Sequence, residues 1–167
     1  EPESSDRQLV DLLWFPTGGG KTEAYLGITA FVIFLRRLRN PLDDGVTVLM
    51  RYTLRLLTLQ QFERTSILIV ACEILRKKYN IGGNKISIGL WVGGGLTPNE
   101  LKSAKRTLNK LQTNTRVSSE EKNPYQIKIC PWCGESLDVQ DYSIDIDKKI
   151  MIIRCHNKNC DFHDSDG

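Results

Sequence analysis

The chain has 167 residues, 40% hydrophobic and 26% charged, with a formal net charge of +3. This is an ordinary globular balance, long enough for one domain or for a medium domain with a small companion. Mild basicity permits nucleic-acid binding without arguing for it, and no segment approaches the roughly 20 apolar residues needed to cross a bilayer. The longest plainly apolar stretch, residues 28–35, already contains Thr29. The first six residues are polar and acidic, unlike a secretory signal, and there is no initiator Met. Either the chain is processed or it is a piece of something longer.

Residues 9–15 (LVDLLWF) form a short apolar run that predicts a buried strand. Pro16 to Gly20 break it. From Lys21 to Arg39 apolar residues recur at helical spacing, and Arg36, Arg37 and Arg39 close the helix where cations suit its dipole. Asn40-Pro41 ends it, and residues 46–50 predict a second strand. Residues 54–79 are mostly good helix formers. The apolar run 67–72 leaves a strand as an alternative there, but a parallel strand needs a crossover and this stretch supplies it. Residues 86–92 predict a third strand. Thr97-Pro98-Asn99-Glu100 then combines a Thr cap, a first-turn Pro and a capping-box Glu, predicting a helix to about residue 111.

The resulting order of strand, helix, strand, helix, strand, helix predicts an α/β fold with a parallel sheet. The expected organisation is a partial P-loop domain over residues 1–115, a polar linker at 116–124 and a small β element at 125–167.

The strongest chemical signal is Phe15-Pro16-Thr17-Gly18-Gly19-Gly20-Lys21-Thr22, between a predicted strand and a predicted helix. Glycines let successive amides face one anion, and a helix start adds its positive dipole. Thr17, Gly18, Gly19, Gly20, Lys21 and Thr22 are thus expected to bind ATP. Lys21 would reach the β- and γ-phosphates, and Thr22 would sit on Mg²⁺. The alternative is a glycine-rich turn with a solvated lysine. Phe15 stands where the strict pattern has Gly.

Cys130-Pro131-Trp132-Cys133-Gly134 and Cys155-His156-Asn157-Lys158-Asn159-Cys160 have metal-ligand spacing, with a predicted hairpin between them (143–147 and 150–154). Cys130, Cys133, Cys155 and Cys160 predict a closed, structural Zn²⁺ site of the zinc-ribbon kind. Replacement of a cysteine by His156 or His163 is one alternative, and a redox disulfide set is another. Cys72 reads as core.

The loop spelling Pro16-Thr17 through Thr22 resembles the nucleotide-binding motif of superfamily 2 helicases. Arg51-Tyr52-Thr53-Leu54-Arg55, with Gln60-Gln61 following, resembles their motif Ia. The resemblance implies a RecA-like domain in which Arg51, Thr53 and Arg55 contact a nucleic-acid backbone, as would Gly93 and Gly94 after the third strand. The runs LLWFPTGGGKTEAYLG, VTVLMRYTLRLLTLQQFERT and ISIGLWVGG further resemble the helicase subunit of the DISARM anti-phage defence system. That likeness implies a bacterial cytoplasmic ATP-dependent helicase, engaging single-stranded or junction DNA with partner subunits. The family's Asp-Glu metal site and second RecA-like domain do not occur in these residues, so a piece of something longer is the expectation, without unaided ATP turnover. A competing expectation is a non-enzymatic zinc-ribbon module for nucleic acid or protein, with a vestigial P-loop.

Overall fold

The computed structural model describes residues 9, 12, 14, 16, 19–43, 45–52, 55–92 and 95–163, with residues 55–57 described by their backbone alone. The chain divides into two compact units. One comprises Glu1–Leu49 with Ile81–Asn84, and the other comprises Met50–Asn80 with Lys85–Gly167. The described residues form three helices and a two-stranded antiparallel hairpin.

In the first unit, α1 spans Lys21–Arg39, the bounds that the apolar period predicts. It starts from Gly20, whose φ of 81° is a left-handed conformation that glycine adopts without strain. It stops at Asn40, held extended because the following Pro41 disfavours helical backbone before it. The arginines of the last turn then fold the chain back. Arg36 is ion-paired with Asp43 and donates to the Val46 carbonyl and the Thr47 hydroxyl, each at 3.0 Å. The buried Arg37 donates to the Pro41 carbonyl at 3.2 Å. Gly83 closes on the same turn. Its φ is +91°, and a Cβ there would lie 2.1 Å from the Pro41 oxygen, so only glycine fits.

In the second unit, α2 spans Arg55–Lys78. The apolar run 67–72 is helical throughout. Just ahead of it, Thr65 and Ser66 return their hydroxyl protons to the carbonyls of Gln61 and Phe62, at 2.7 and 2.8 Å. Glu73 is buried on this helix and receives Arg76 Nε at 2.7 Å, Arg76 Nη2 at 2.8 Å and the Ile86 amide at 2.9 Å. It thereby fastens the segment after residue 84 to α2. Glu73→Ala should destabilise the chain by about 1–3 kcal/mol, because the buried Ile86 amide loses its acceptor. The Arg76 guanidinium holds the Glu73 carboxyl below its ordinary range. The stabilisation is therefore present above the unfolded carboxyl's pKa and is lost as pH falls through the lower folded value. Urea melts of both proteins at pH 7 and in mild acid check this. Equal pH dependence in both would remove Glu73 from the account.

The helix α3 spans Leu101–Gln112, and strands β1 (Tyr142–Asp145) and β2 (Ile150–Ile153) pair antiparallel, with Tyr142 opposite Ile153 and Asp145 opposite Ile150. Ala104 and Leu108 share one face of α3 and pack with Tyr142 and Ile144, joined by Leu101, Tyr125, Ile146 and Ile153. Tyr125 meets Tyr142 edge to face at 5.2 Å. Gln112 seals the end of the helix, donating to the carbonyls of Val139 and Tyr142, both at 2.9 Å. The Tyr142 hydroxyl donates to the Ile127 carbonyl at 2.6 Å and accepts the Ile127 amide at 2.9 Å. One buried phenol thus ties the hairpin to the strand-like approach of the first cysteine pair. Tyr142→Phe strips both Ile127 groups of their partner and should cost about 1–3 kcal/mol in thermal or denaturant melts. An unchanged midpoint would show that water replaces the hydroxyl.

Two expectations need correction. No parallel sheet occurs among the described residues. Of the first expected strand only residues 9, 12 and 14 are described, and 46–50 and 86–92 carry no strand pairing. The reason is visible in where their backbone groups go. Arg36 takes the Val46 carbonyl and Glu73 takes the Ile86 amide, while Leu9, Leu12, Trp14, Val46, Leu49 and Trp91 stand exposed rather than packed between layers. A strand has no hydrogen-bonding partners of its own and needs neighbours to exist. Second, α3 begins at Leu101 from Glu100, with no side-chain cap, and not from Thr97. Local capping is worth only about 1 kcal/mol, and the face that packs on the hairpin starts at Leu101. Helix α3 and the hairpin share one core across the polar stretch 116–124.

Candidate metal centre and phosphate loop

The two cysteine pairs are built by two tight turns that the hairpin brings together. In the first, Cys130 and Gly134 close a turn through the Gly134 amide and the Cys130 carbonyl at 3.0 Å. The Cys130 amide then returns to the Glu135 carbonyl at 2.8 Å. Gly134 has φ +77°, a conformation costly for any residue with a Cβ. In the second, the Cys160 amide reaches the Asn157 carbonyl at 2.9 Å, and the Asn159 amide reaches the Asn157 side chain at 3.0 Å. The Cys155 amide donates to the Phe162 carbonyl at 3.1 Å, folding the loop on itself. Leu137, Ile127, Ile153 and Phe162 pack around the sulfurs.

The four sulfurs of Cys130, Cys133, Cys155 and Cys160 all lie within 4.8 Å of one another. Cys133 and Cys155 are 3.6 Å apart and Cys130 and Cys160 are 3.8 Å apart. All four are free thiols, since a disulfide would bring two sulfurs to about 2.05 Å. A tetrahedral site with Zn–S bonds of about 2.3 Å has sulfur–sulfur edges of about 3.8 Å. The cluster therefore has the dimensions and the soft donor set for zinc and could bind it.

The surroundings favour thiolates bound to a cation over bare ones. The Glu135 amide lowers the pKa of Cys133. Burial pushes Cys155 up to about 12, although the Asn157 amide faces it, and burial raises Cys160 likewise. The Phe162 amide donates to Cys160 sulfur at 3.5 Å. Three cysteines thus each face the amide two residues ahead, a supporting shell that orients metal-binding sulfur. A dication in the centre would supply the charge that burial otherwise penalises.

Neither histidine joins the cluster. His156 Nδ1 pairs with Asp141 Oδ2 at 2.9 Å, and this carboxylate raises the imidazole's pKa. His163 Nδ1 lies 2.8 Å from the Cys155 carbonyl oxygen. Cys72 is buried in α2, and burial raises its pKa.

The phosphate loop is described in part. Thr17 and Gly18 lie outside the described residues, as do Thr53, Gly93 and Gly94. Gly19 donates its amide to the Pro16 carbonyl at 2.9 Å, closing a turn. Gly20 is the residue from which α1 springs, Lys21 and Thr22 are its first two residues, and Glu23 also lies in this first turn. The Lys21 ammonium bends back to the Pro16 carbonyl at 3.1 Å. Gly20, Lys21 and Thr22 thus stand at the start of a helix, as the spelling predicts. Arg51 is exposed on the chain ahead of α2, and Arg55 is the first residue of that helix, its side chain outside the description.

The sequence reading missed the cation-rich surface of α3. Its signal is the run Leu101-Lys102-Ser103-Ala104-Lys105-Arg106-Thr107-Leu108-Asn109-Lys110, which has no acid in it.

Comparison with known proteins yields one curated relative of clear similarity. No family model matches the chain, and no solved structure matches it. The DISARM protein DrmA of Bacillus paralicheniformis is 43% identical over 171 aligned residues, which cover 96% of this chain. The chain spans only 15% of that protein's length, so it is similar to one piece of DrmA.

Proposed function

We propose that the chain is the ATP-binding front part of a superfamily 2 DNA helicase or translocase acting in phage defence. The observation that carries this reading is the Gly19-Gly20-Lys21-Thr22 run at the start of α1, in a chain 43% identical to a stretch of a DISARM protein. Backbone amides and a lysine at a helix start suit a triphosphate, with Lys21 on the β- and γ-phosphates and Thr22 holding Mg²⁺. Arg51, Thr53, Arg55, Gly93 and Gly94 would touch the DNA backbone, which positions a strand without reading it. The four cysteines would hold zinc in a structural role. Residues 1–115 would belong to the RecA-like part and 125–167 to the zinc-ribbon-like insertion, in a cytoplasmic protein working with partner subunits.

Equilibrium binding of a fluorescent ATP analogue, with and without Mg²⁺, is the test. Saturable, magnesium-strengthened binding is expected, without turnover by this chain alone. Lack of any saturable binding at millimolar nucleotide would leave the second reading, a zinc-ribbon binding module with a vestigial loop, which the closeness of the four sulfurs supports on its own.

A further inference from the structure

The outer face of α3 belongs to neither the phosphate loop nor the metal centre. While Ala104, Thr107 and Leu108 turn inward, Lys102, Lys105, Arg106 and Asn109 are exposed at helical spacing. No acid occurs anywhere in the helix. Lys102 and Lys105 lie in its first half, toward the end where the dipole disfavours cations. Lys102 also faces Lys105 at i+3 and Arg106 at i+4, like-charge pairings that weaken a helix. Surfaces shaped for solubility alone intersperse both signs. Among the described residues, the long Arg106–Glu121 contact at 3.7 Å offsets little of this local electrostatic cost.

Beside it opens a groove of about 640 Å³, whose charged lining is Arg106, Lys110, Arg116, Lys122, Glu120 and Glu121. Glu121 is engaged internally. Its carboxylate takes Lys110 Nζ at 2.7 Å and the Ser118 amide at 3.0 Å, and Arg106 Nε stands farther off at 3.7 Å. The Arg106 side chain remains 67% exposed, so the groove keeps an excess of cations.

We propose that this face and groove bind the phosphate backbone of a nucleic-acid strand, with Lys102, Lys105 and Arg106 as the principal contacts and Arg116 and Lys122 extending the track. A phosphodiester chain is a line of anions, and it matches a row of cations about one helical turn long. No aromatic side chain stands in the row to stack a base, so the contact is sequence-independent. The inference rests on the proposed DNA-engaging role and adds a surface separate from Arg51 and Arg55.

The test is fluorescence anisotropy with a labelled single-stranded oligonucleotide over a range of salt, using the whole chain. Removing three phosphate contacts should flatten the log–log salt dependence by about 2 and weaken low-salt binding on the order of tenfold or more. This is expected for K102E/K105E/R106E and also for the neutral K102Q/K105Q/R106Q. A charge-matched control, K128E/K148E/K149E, also alters exposed lysines and should lose much less. Unchanged hydrogen exchange at the β1 and β2 amides verifies that the variants stay folded. Binding retained in both α3 variants but lost in Arg51→Ala would overturn this inference while leaving the DNA role standing. An equal loss in the control would also overturn it. An unaltered chain that binds no oligonucleotide would remove the DNA role itself.

Discussion

Removing zinc with a strong chelator should unfold residues 125–163 while leaving α1 helical. The cores there are small. One is four buried residues between α3 and the hairpin, and the other is Leu137 with three buried cysteines. Burial at this scale does not hold a β element of four-residue strands together. A tetrathiolate zinc centre contributes on the order of 10–16 kcal/mol in zinc-finger peptides, most of it realised as folding free energy. The cysteines come in two turns, residues 130–133 and 155–160, which a bound ion would hold to each other, so its release would loosen both. Hydrogen exchange should show the β1 and β2 amides losing protection on chelation and regaining it when zinc is returned. Cys155→Ala should reproduce the loss without chelator, whereas Cys72→Ala should keep one zinc per chain. Protection that survives complete metal removal would show that the sulfur cluster is incidental to the fold.

The parts legible in the sequence are those whose cause is local. Helix α1 could be bounded because an apolar period, three terminal arginines and Asn40-Pro41 all act within a few residues of each other, and the structure gives the same limits. Helix α2 follows from its composition despite the strand-like run 67–72. The four cysteines and the hairpin between them were readable because metal spacing and alternation are both short-range signals. What failed is what depends on partners distant in sequence. Residues 46–50 and 86–92 have the composition of strands, but a strand is completed only by neighbours, and here an arginine and a glutamate occupy backbone groups that a sheet would use. The start of α3 moved from Thr97 to Leu101 because packing on Tyr142 and Ile144 outweighs a cap. The cationic face of α3 was in plain view as a run without acids. It became a surface only when the hairpin showed which side of the helix is covered.

Lys21→Ala should weaken ATP binding roughly 10- to 150-fold, and this is the sharpest discriminator between a working and a vestigial phosphate loop. Glycine amides and a helix start alone attract any anion. The lysine adds a charge-assisted contact to the terminal phosphates, worth about 1.5–3 kcal/mol, and this range gives the expected factor. The substitution is structurally mild. Lys21 is the first residue of α1 and its ammonium makes an exposed bond to the Pro16 carbonyl, while alanine is the better helix former. That bond must also be given up before the ammonium can reach a phosphate, so ATP should protect the loop against proteolysis in the unaltered chain and not in the variant. Thr22→Ala should behave differently, removing the magnesium dependence of binding while leaving metal-free affinity nearly intact, because its hydroxyl serves the cation. Calorimetry with ATP and with ADP completes the case. Lys21 reaching the γ-phosphate predicts a larger Lys21→Ala penalty for ATP than for ADP. Equal penalties would place Lys21 on the β-phosphate alone; no penalty with either nucleotide would mean that the glycine turn binds phosphate only as any helix start does, and the zinc-ordered half of the chain would then carry the function.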